Sequence, residues 1–182
     1  VIIWRAMSDR LARAGLWATK QAGVASAKST VVDSFYHDEK ELAFDFAKAL
    51  RKEVEILLKH VDFISIDEPV FSNEIPEYAY ELIKMITNGL SHPTRLHVCG
   101  DVSRIIPQLI DMPVDILSHE FKATPHLFDV FREYPDRKKI CVGAVRSDDV
   151  TIESVDDRTA SSMDPTRYSQ NHILTTPDPK ST

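Results

Sequence analysis

Residues 96–102, Leu-His-Val-Cys-Gly-Asp-Val, place an imidazole and a thiol two positions apart at the close of an apolar run. Residues two apart on an extended strand share a face, so His97 and Cys99 point the same way. Glu120 closes the next apolar run, and an imidazole, a thiolate and a carboxylate together make a zinc-type ligand set. His-x-Cys alone is a weak motif, and on spacing alone packing is the heavier reading, with Cys99 a small apolar filler and His97 a hydrogen-bonded core histidine. His119 faces away from Glu120 and is not counted as a ligand. An earlier run, 61–69, ends in Asp67-Glu68-Pro69. Its phase sets Phe63, Ser65 and Asp67 on one face and Ile64, Ile66 and Glu68 on the other. Asp67 beside the small Ser65 suits an interior that faces a ligand, and a solvated loop start stands level with that reading. Cys141 falls mid-strand and reads as packing, and His37, His60, His92 and His126 receive no chemistry.

These residues need elements to hold them. Asp38 followed by Glu41 reads as a capping box, and Leu42, Phe46, Ala49, Leu50, Glu53, Val54 and Leu57 keep helical spacing behind it. Residues 61–69 form a short apolar run stopped by proline, which suits a buried strand. A helix is expected from about Ile75 to Asn88, with Pro76 in its first turn and Gly89 just past its end. The pattern then repeats: strand 94–100, helix 102–110 kinked or shortened by Pro107, strand 114–121, helix from Thr124-Pro125 through Tyr134, strand 138–145. Strands alternating with helices imply βαβ units and a parallel sheet. No Gly-rich nucleotide motif follows any strand, so the fold class is α/β, a (β/α)8 barrel or part of one. A whole barrel takes about 250 residues, and the chain has 182. In such a barrel reactive groups gather at the C-terminal ends of strands. Here Asp67-Glu68, His97 with Cys99, His119-Glu120 and Arg146-Ser147-Asp148 all occupy such ends.

The termini are less regular. Residues 1–21 read as a helix with Ile3, Met7, Leu11, Ala14 and Ala18 on one face, and a strand is expected around Val31-Val32. Residues 1–157 are taken as the barrel portion and 158–182 as an irregular tail, with a short strand at 172–176. The N-terminus lacks an initiator Met and a secretory signal, and reads as an internal start. Hydrophobic content of 43% and charged content of 27% are those of a globular domain. A net charge of −6, with no basic stripe, argues against a nucleic-acid partner. No apolar run has the length to span a bilayer. Two cysteines do not make a disulfide framework, and a reducing cytoplasm is the expected compartment.

Ile-Ser-Ile-Asp-Glu-Pro-Val-Phe-Ser (64–72), Leu-His-Val-Cys-Gly-Asp-Val (96–102), Val-Asp-Ile-Leu-Ser-His-Glu-Phe (114–121) and residues 142–157 together resemble the catalytic domain of cobalamin-independent methionine synthase, above all its short archaeal-type forms. The likeness covers about residues 28–157, helix 38–55 included. It implies a (β/α)8 barrel of the methionine synthase and uroporphyrinogen decarboxylase type, with a catalytic zinc bound by His97, Cys99 and Glu120. It also implies that Asp67, with Glu68 beside it, binds the amino group of homocysteine. The reaction implied is transfer of a methyl group from methyltetrahydrofolate or a methylcorrinoid to the homocysteine thiol. The family's fourth ligand, a Cys in a late Asp-Cys-Gly turn, has Pro179 in its place here, and the stretch past Arg158 departs from the family pattern. Two alternatives follow: a barrel fragment without activity, or a related enzyme that methylates another thiol such as coenzyme M. A uroporphyrinogen-decarboxylase-like activity would not need His97 and Cys99.

Overall fold

The structure, a computed structural model, describes residues 4–7, 35–144, 146 and 173–175. The expectations for Val31-Val32, for Arg158 and for Pro179 lie outside those residues. The chain divides into two compact units, Val1–Val98 with Met112–Asp115 and Cys99–Asp111 with Ile116–Thr182.

In the first unit, helix α1 spans Glu39–Leu57. Asp38 caps it as its spacing predicts: the backbone is extended and the carboxylate accepts from the N–H groups of Lys40 at 2.8 Å and Glu41 at 3.0 Å. The buried stripe runs through Leu42, Ala43, Ala47, Leu50 and Val54. It is rotated from the expected line, because the alanines allow close approach while Phe46 and Ala49 lie off the stripe. α1 packs on helix α2, Ala79–Thr87, which buries Leu82, Ile83 and Ile86. α2 begins later than expected, so Pro76 precedes it and its carbonyl accepts from Ala79 N–H at 2.9 Å. The C-terminal end behaves as predicted, with Gly89 at φ +70 beyond Asn88. Arg51 of α1 donates to the carbonyls of Ile86 (3.1 Å) and Asn88 (2.6 Å), placing a cation where α2 leaves its last acceptors.

Strand β1 (Trp4–Met7) runs antiparallel to β2 (Val61–Asp67), with Trp4 opposite Ser65 and Arg5 opposite Ile64. The helical reading of residues 1–21 therefore fails at Trp4–Met7. The edge of β2 carries ladder groups that need partners, and that pairing outweighs a local helical spacing. β2 pairs in parallel with β3 (Thr94–His97), from Ile64 opposite Thr94 to Asp67 opposite His97. Asp115 ties down the start of β3: its Oδ2 accepts from Thr94 N–H at 2.7 Å and Thr94 Oγ1 at 2.8 Å.

The second unit holds helix α3 (Ile106–Ile110), preceded by a 3-10 turn over Ser103–Ile105. Pro107 lies in the first turn of α3, where a missing N–H breaks no helical bond, so it helps start the helix and does not kink it. Strand β4 (Ile116–His119) pairs in parallel with β5 (Lys139–Val142), and β5 in parallel with the short β6 (Ile173–Thr175), close to the strand expected at 172–176. Helix α4 is only Leu127–Phe131. Thr124 and Pro125 precede it, because the Thr124 hydroxyl turns back to the Glu120 carbonyl at 2.6 Å. Ile106, Leu109, Leu117, Leu127 and Phe131 form this unit's core, where the buried His119 ring stacks on Phe131 at 5.7 Å.

No helix of the described residues is long and apolar enough to cross a membrane. Burial predicts a sharp contrast in stability. Ile86→Ala, at a position with no exposure, should cost about 2–5 kcal/mol. Ile56→Ala on the same helix pair, at a side chain 69% exposed, should stay within about 0.5 kcal/mol. Urea unfolding of the two variants against the parent chain measures the difference.

Candidate metal centre

The parallel register of β2 on β3 sets Asp67 directly beside His97. Side-chain contacts confirm the strand phase: Arg95 Nε donates to Ser65 Oγ at 3.0 Å, and the Arg95 guanidinium lies 4.9 Å from the centre of the Phe63 ring. Thr94, Leu96 and Val98 are buried, while Arg95, His97 and Cys99 are half-buried. Phe63, Ser65 and Asp67 therefore share a face with Arg95 and His97. β3 stops at His97, and Cys99 follows two residues later in the turn that Gly100 completes at φ +76.

One ligand atom each from Asp67, His97 and Cys99 lies within 4.8 Å of the others. Among the described residues this group brings together three side chains of metal-ligand type. Bonds of about 2.0–2.3 Å at a tetrahedral zinc hold ligand atoms roughly 3.3–3.8 Å apart, so the group needs only side-chain adjustment to close on an ion. Nitrogen, sulfur and oxygen donors together are also the chemistry zinc takes. On both counts the residues fit the metal.

Asp67 is 5% exposed and Glu68 is fully buried, so neither is a solvated loop start. Glu68 is tied to β3 through its backbone, whose N–H donates to the His97 carbonyl at 2.9 Å. Pro69 then opens a 3-10 turn, Pro69–Ser72.

Glu120 follows β4 by one residue, and its Oε2 accepts from Gly100 N–H at 2.9 Å. Its backbone is clamped as well. Thr124 N–H and Oγ1 both donate to the Glu120 carbonyl, at 3.0 and 2.6 Å. Gly143 N–H donates to the His119 carbonyl at 2.9 Å, and Lys122 N–H donates to the Gly143 carbonyl at 3.0 Å. A Cβ on Gly143 would stand 2.8 Å from the His119 oxygen and 3.2 Å from Glu120 Cα, so the approach requires glycine.

The turn after Cys99 carries a further pair. Asp101 Oδ1 accepts from Ser103 N–H at 3.0 Å, and both its oxygens lie 3.1 Å from His126 Nε2. The Ser103 N–H, and after it the Ser103 and His126 side chains, hold the Asp101 carboxyl below the ordinary aspartate value.

Arg95, Gly143 and the Asp101–His126 pair were not singled out from the sequence. The alternation Arg-x-His-x-Cys carries the signal for Arg95, and a glycine just past a strand often marks close backbone approach, as at Gly143. Nothing local links Asp101 to His126, 25 residues away.

The family described as "Cobalamin-independent synthase, Catalytic domain" matches residues 5–178, and the chain belongs to that family. Its relatives include the methionine synthase of Methanocaldococcus jannaschii, 40% identical over 135 residues, which are 72% of this chain and 43% of the relative. The methionine synthase of Methanothermobacter marburgensis is 35% identical over 136 residues, 71% of this chain and 44% of the relative. The chain thus spans less than half the length of these curated relatives. A solved B12-independent methionine synthase from Shewanella sp. W3-18-1, in complex with selenomethionine, superposes with a TM-score of 0.67. It covers 85% of this chain and 52% of that one at 24% identity. That likeness shows the fold: this chain is part of a (β/α)8 barrel.

Two outcomes follow. Gly143→Ala should destabilise the chain by about 1–3 kcal/mol, the range for overpacking, read from the urea midpoint. The Asp101 carboxylate contributes stability that is fully present above the unfolded aspartate value and lost as pH falls through the lower folded one. Its half-exposed setting limits that to under about 1 kcal/mol, and Asp101→Asn should remove it from an unfolding series run between about pH 5 and pH 2.

Proposed function

We propose that this chain carries the homocysteine-methylating chemistry of its family and holds zinc through His97, Cys99 and Glu120. The methyl group comes from methyltetrahydrofolate or a methylcorrinoid, and the product is methionine. The observation that carries the reading is the gathering of His97, Cys99 and Asp67 donor atoms within 4.8 Å, on family motifs.

Zinc, when bound, acts as a Lewis acid that lowers the pKa of an acceptor thiol from its free value of about 8.5. The residues of the chain do the rest. His97 offers a neutral ring nitrogen, and Cys99 gives up its proton to ligate as thiolate. Glu120 would supply a carboxylate oxygen, a role supported by its hydrogen bond to the N–H of Gly100, the residue after Cys99, at 2.9 Å. Asp67 and Glu68, two buried carboxylates at the end of β2, provide negative charge for the substrate ammonium. The substrate thiol loses its proton, its sulfur forms the new S–C bond, and the donor–methyl bond breaks with its electron pair left on the donor.

The purified chain should bind one equivalent of zinc, and Cys99→Ser should weaken that binding at least about tenfold. Methionine formation, assayed separately with methylcobalamin and methyltetrahydrofolate, should appear with one of the two donors and vanish in Cys99→Ser. A folded chain that binds no zinc would overturn the reading and leave an inactive barrel fragment.

A further inference from the structure

We infer that Asn88-Gly89, at the exit of α2, is a latent deamidation site that the Arg51 guanidinium holds inert. The inference is independent of the zinc reading above.

An asparagine followed by glycine is open to attack by its own main chain, because glycine has no Cβ to block the approach. Asn88 and Gly89 are both exposed. Gly89 stands at φ +70, with open space where a Cβ would sit. In the reaction the Gly89 nitrogen bonds to Asn88 Cγ. The Cγ–Nδ2 bond breaks with its electron pair on Nδ2, which takes the Gly89 N–H proton and leaves as ammonia. Water then opens the succinimide ring at either carbonyl. The product is an aspartate or an isoaspartate at position 88, with a new carboxylate in both cases.

The ring closes only when the Gly89 nitrogen swings to the Cβ side of Asn88 about the Cα–C bond. Asn88 has φ −59 and ψ 129, an extended setting that turns that nitrogen away from Cβ. Rotation that brings it round must carry the Asn88 carbonyl along, since both atoms belong to one planar peptide group. That carbonyl is held. Arg51 Nη1 donates to it at 2.6 Å and to the Ile86 carbonyl at 3.1 Å. Glu55 Oε1 accepts from Arg51 Nε at 2.7 Å and so steadies the guanidinium. The Asn88 N–H donates to the Lys84 carbonyl at 2.9 Å, which anchors the peptide on the other side as well. Attack therefore requires a charge-assisted hydrogen bond to break first.

The test incubates the full chain in mildly alkaline buffer beside the free peptide Ile-Thr-Asn-Gly-Leu-Ser, residues 86–91. Amide loss is read by mass spectrometry and by released ammonia. The parent chain should react about tenfold more slowly than the peptide. Arg51→Met, which keeps an aliphatic stem, should approach the peptide rate with an unchanged circular dichroism spectrum. Leu42→Ala, which loosens α1 in its first turn and leaves the Arg51 bonds in place, should stay near the parent rate. A parent chain as fast as the peptide, or an Arg51→Met chain as slow as the parent, would overturn the inference. Equal acceleration by Leu42→Ala would overturn it too, because protection would then come from general helix stability and not from Arg51.

Discussion

The parallel pairing of β2 with β3 is the constraint on which the candidate centre depends. Its register makes Asp67 the neighbour of His97, and the strand alternation carries Arg95 and His97 to the face that Ser65 and Phe63 also occupy. The ladder bonds behind that register are backbone bonds, so they do not depend on the reactive side chains. The apolar residues of the opposite phase, Ile64, Ile66, Leu96 and Val98, are all buried. A slip by one residue would expose them. The hydrophobic effect thus secures one side of the strands and leaves the other available for polar groups.

Around this pair the chain spends its irregular geometry where chemistry is expected. The left-handed Gly100 turns the backbone so that its N–H meets Glu120, and Gly143 lets the backbone after β5 close on the residues that carry Glu120. Each glycine sits where a side chain would obstruct a neighbour or a turn. The Glu120 carboxylate is thus held by the backbone N–H of Gly100, while ladder pairing fixes the backbone that carries Asp67. The exposed ion pairs Lys48–Asp45 and Arg132–Asp129 join residues three apart, and such surface pairs contribute little to this arrangement.

Much of the fold was legible locally. The Asp38 cap, the proline after β2, the glycine after α2 and the apolar runs each mark an element by a short-range rule, and the structure has those elements. His97 and Cys99 were marked by residue type and spacing, but β3 ends at His97, so Cys99 comes from the turn beyond and not from the strand alternation expected to align the two. Errors arose where a distant partner decides. Trp4–Met7 joins β2 across more than fifty residues, and Thr124 abandons a capping role because the Glu120 carbonyl offers it a better bond. Asp67 beside His97 depends on inter-strand register, and Glu120 beside Gly100 on how a strand end meets a turn. Neither relation is written in the spacing of any single segment.

Arg51 shows how one surface side chain can join folding units of different origin in the sequence. Its guanidinium spans from the middle of α1 to two carbonyls at the exit of α2, 35 and 37 residues further along. Those carbonyls become fully satisfied only once both helices have formed and docked. Fraying at the end of α2 is thereby coupled to the integrity of α1, and the two helices should exchange their amide protons as one cooperative block instead of as separate segments.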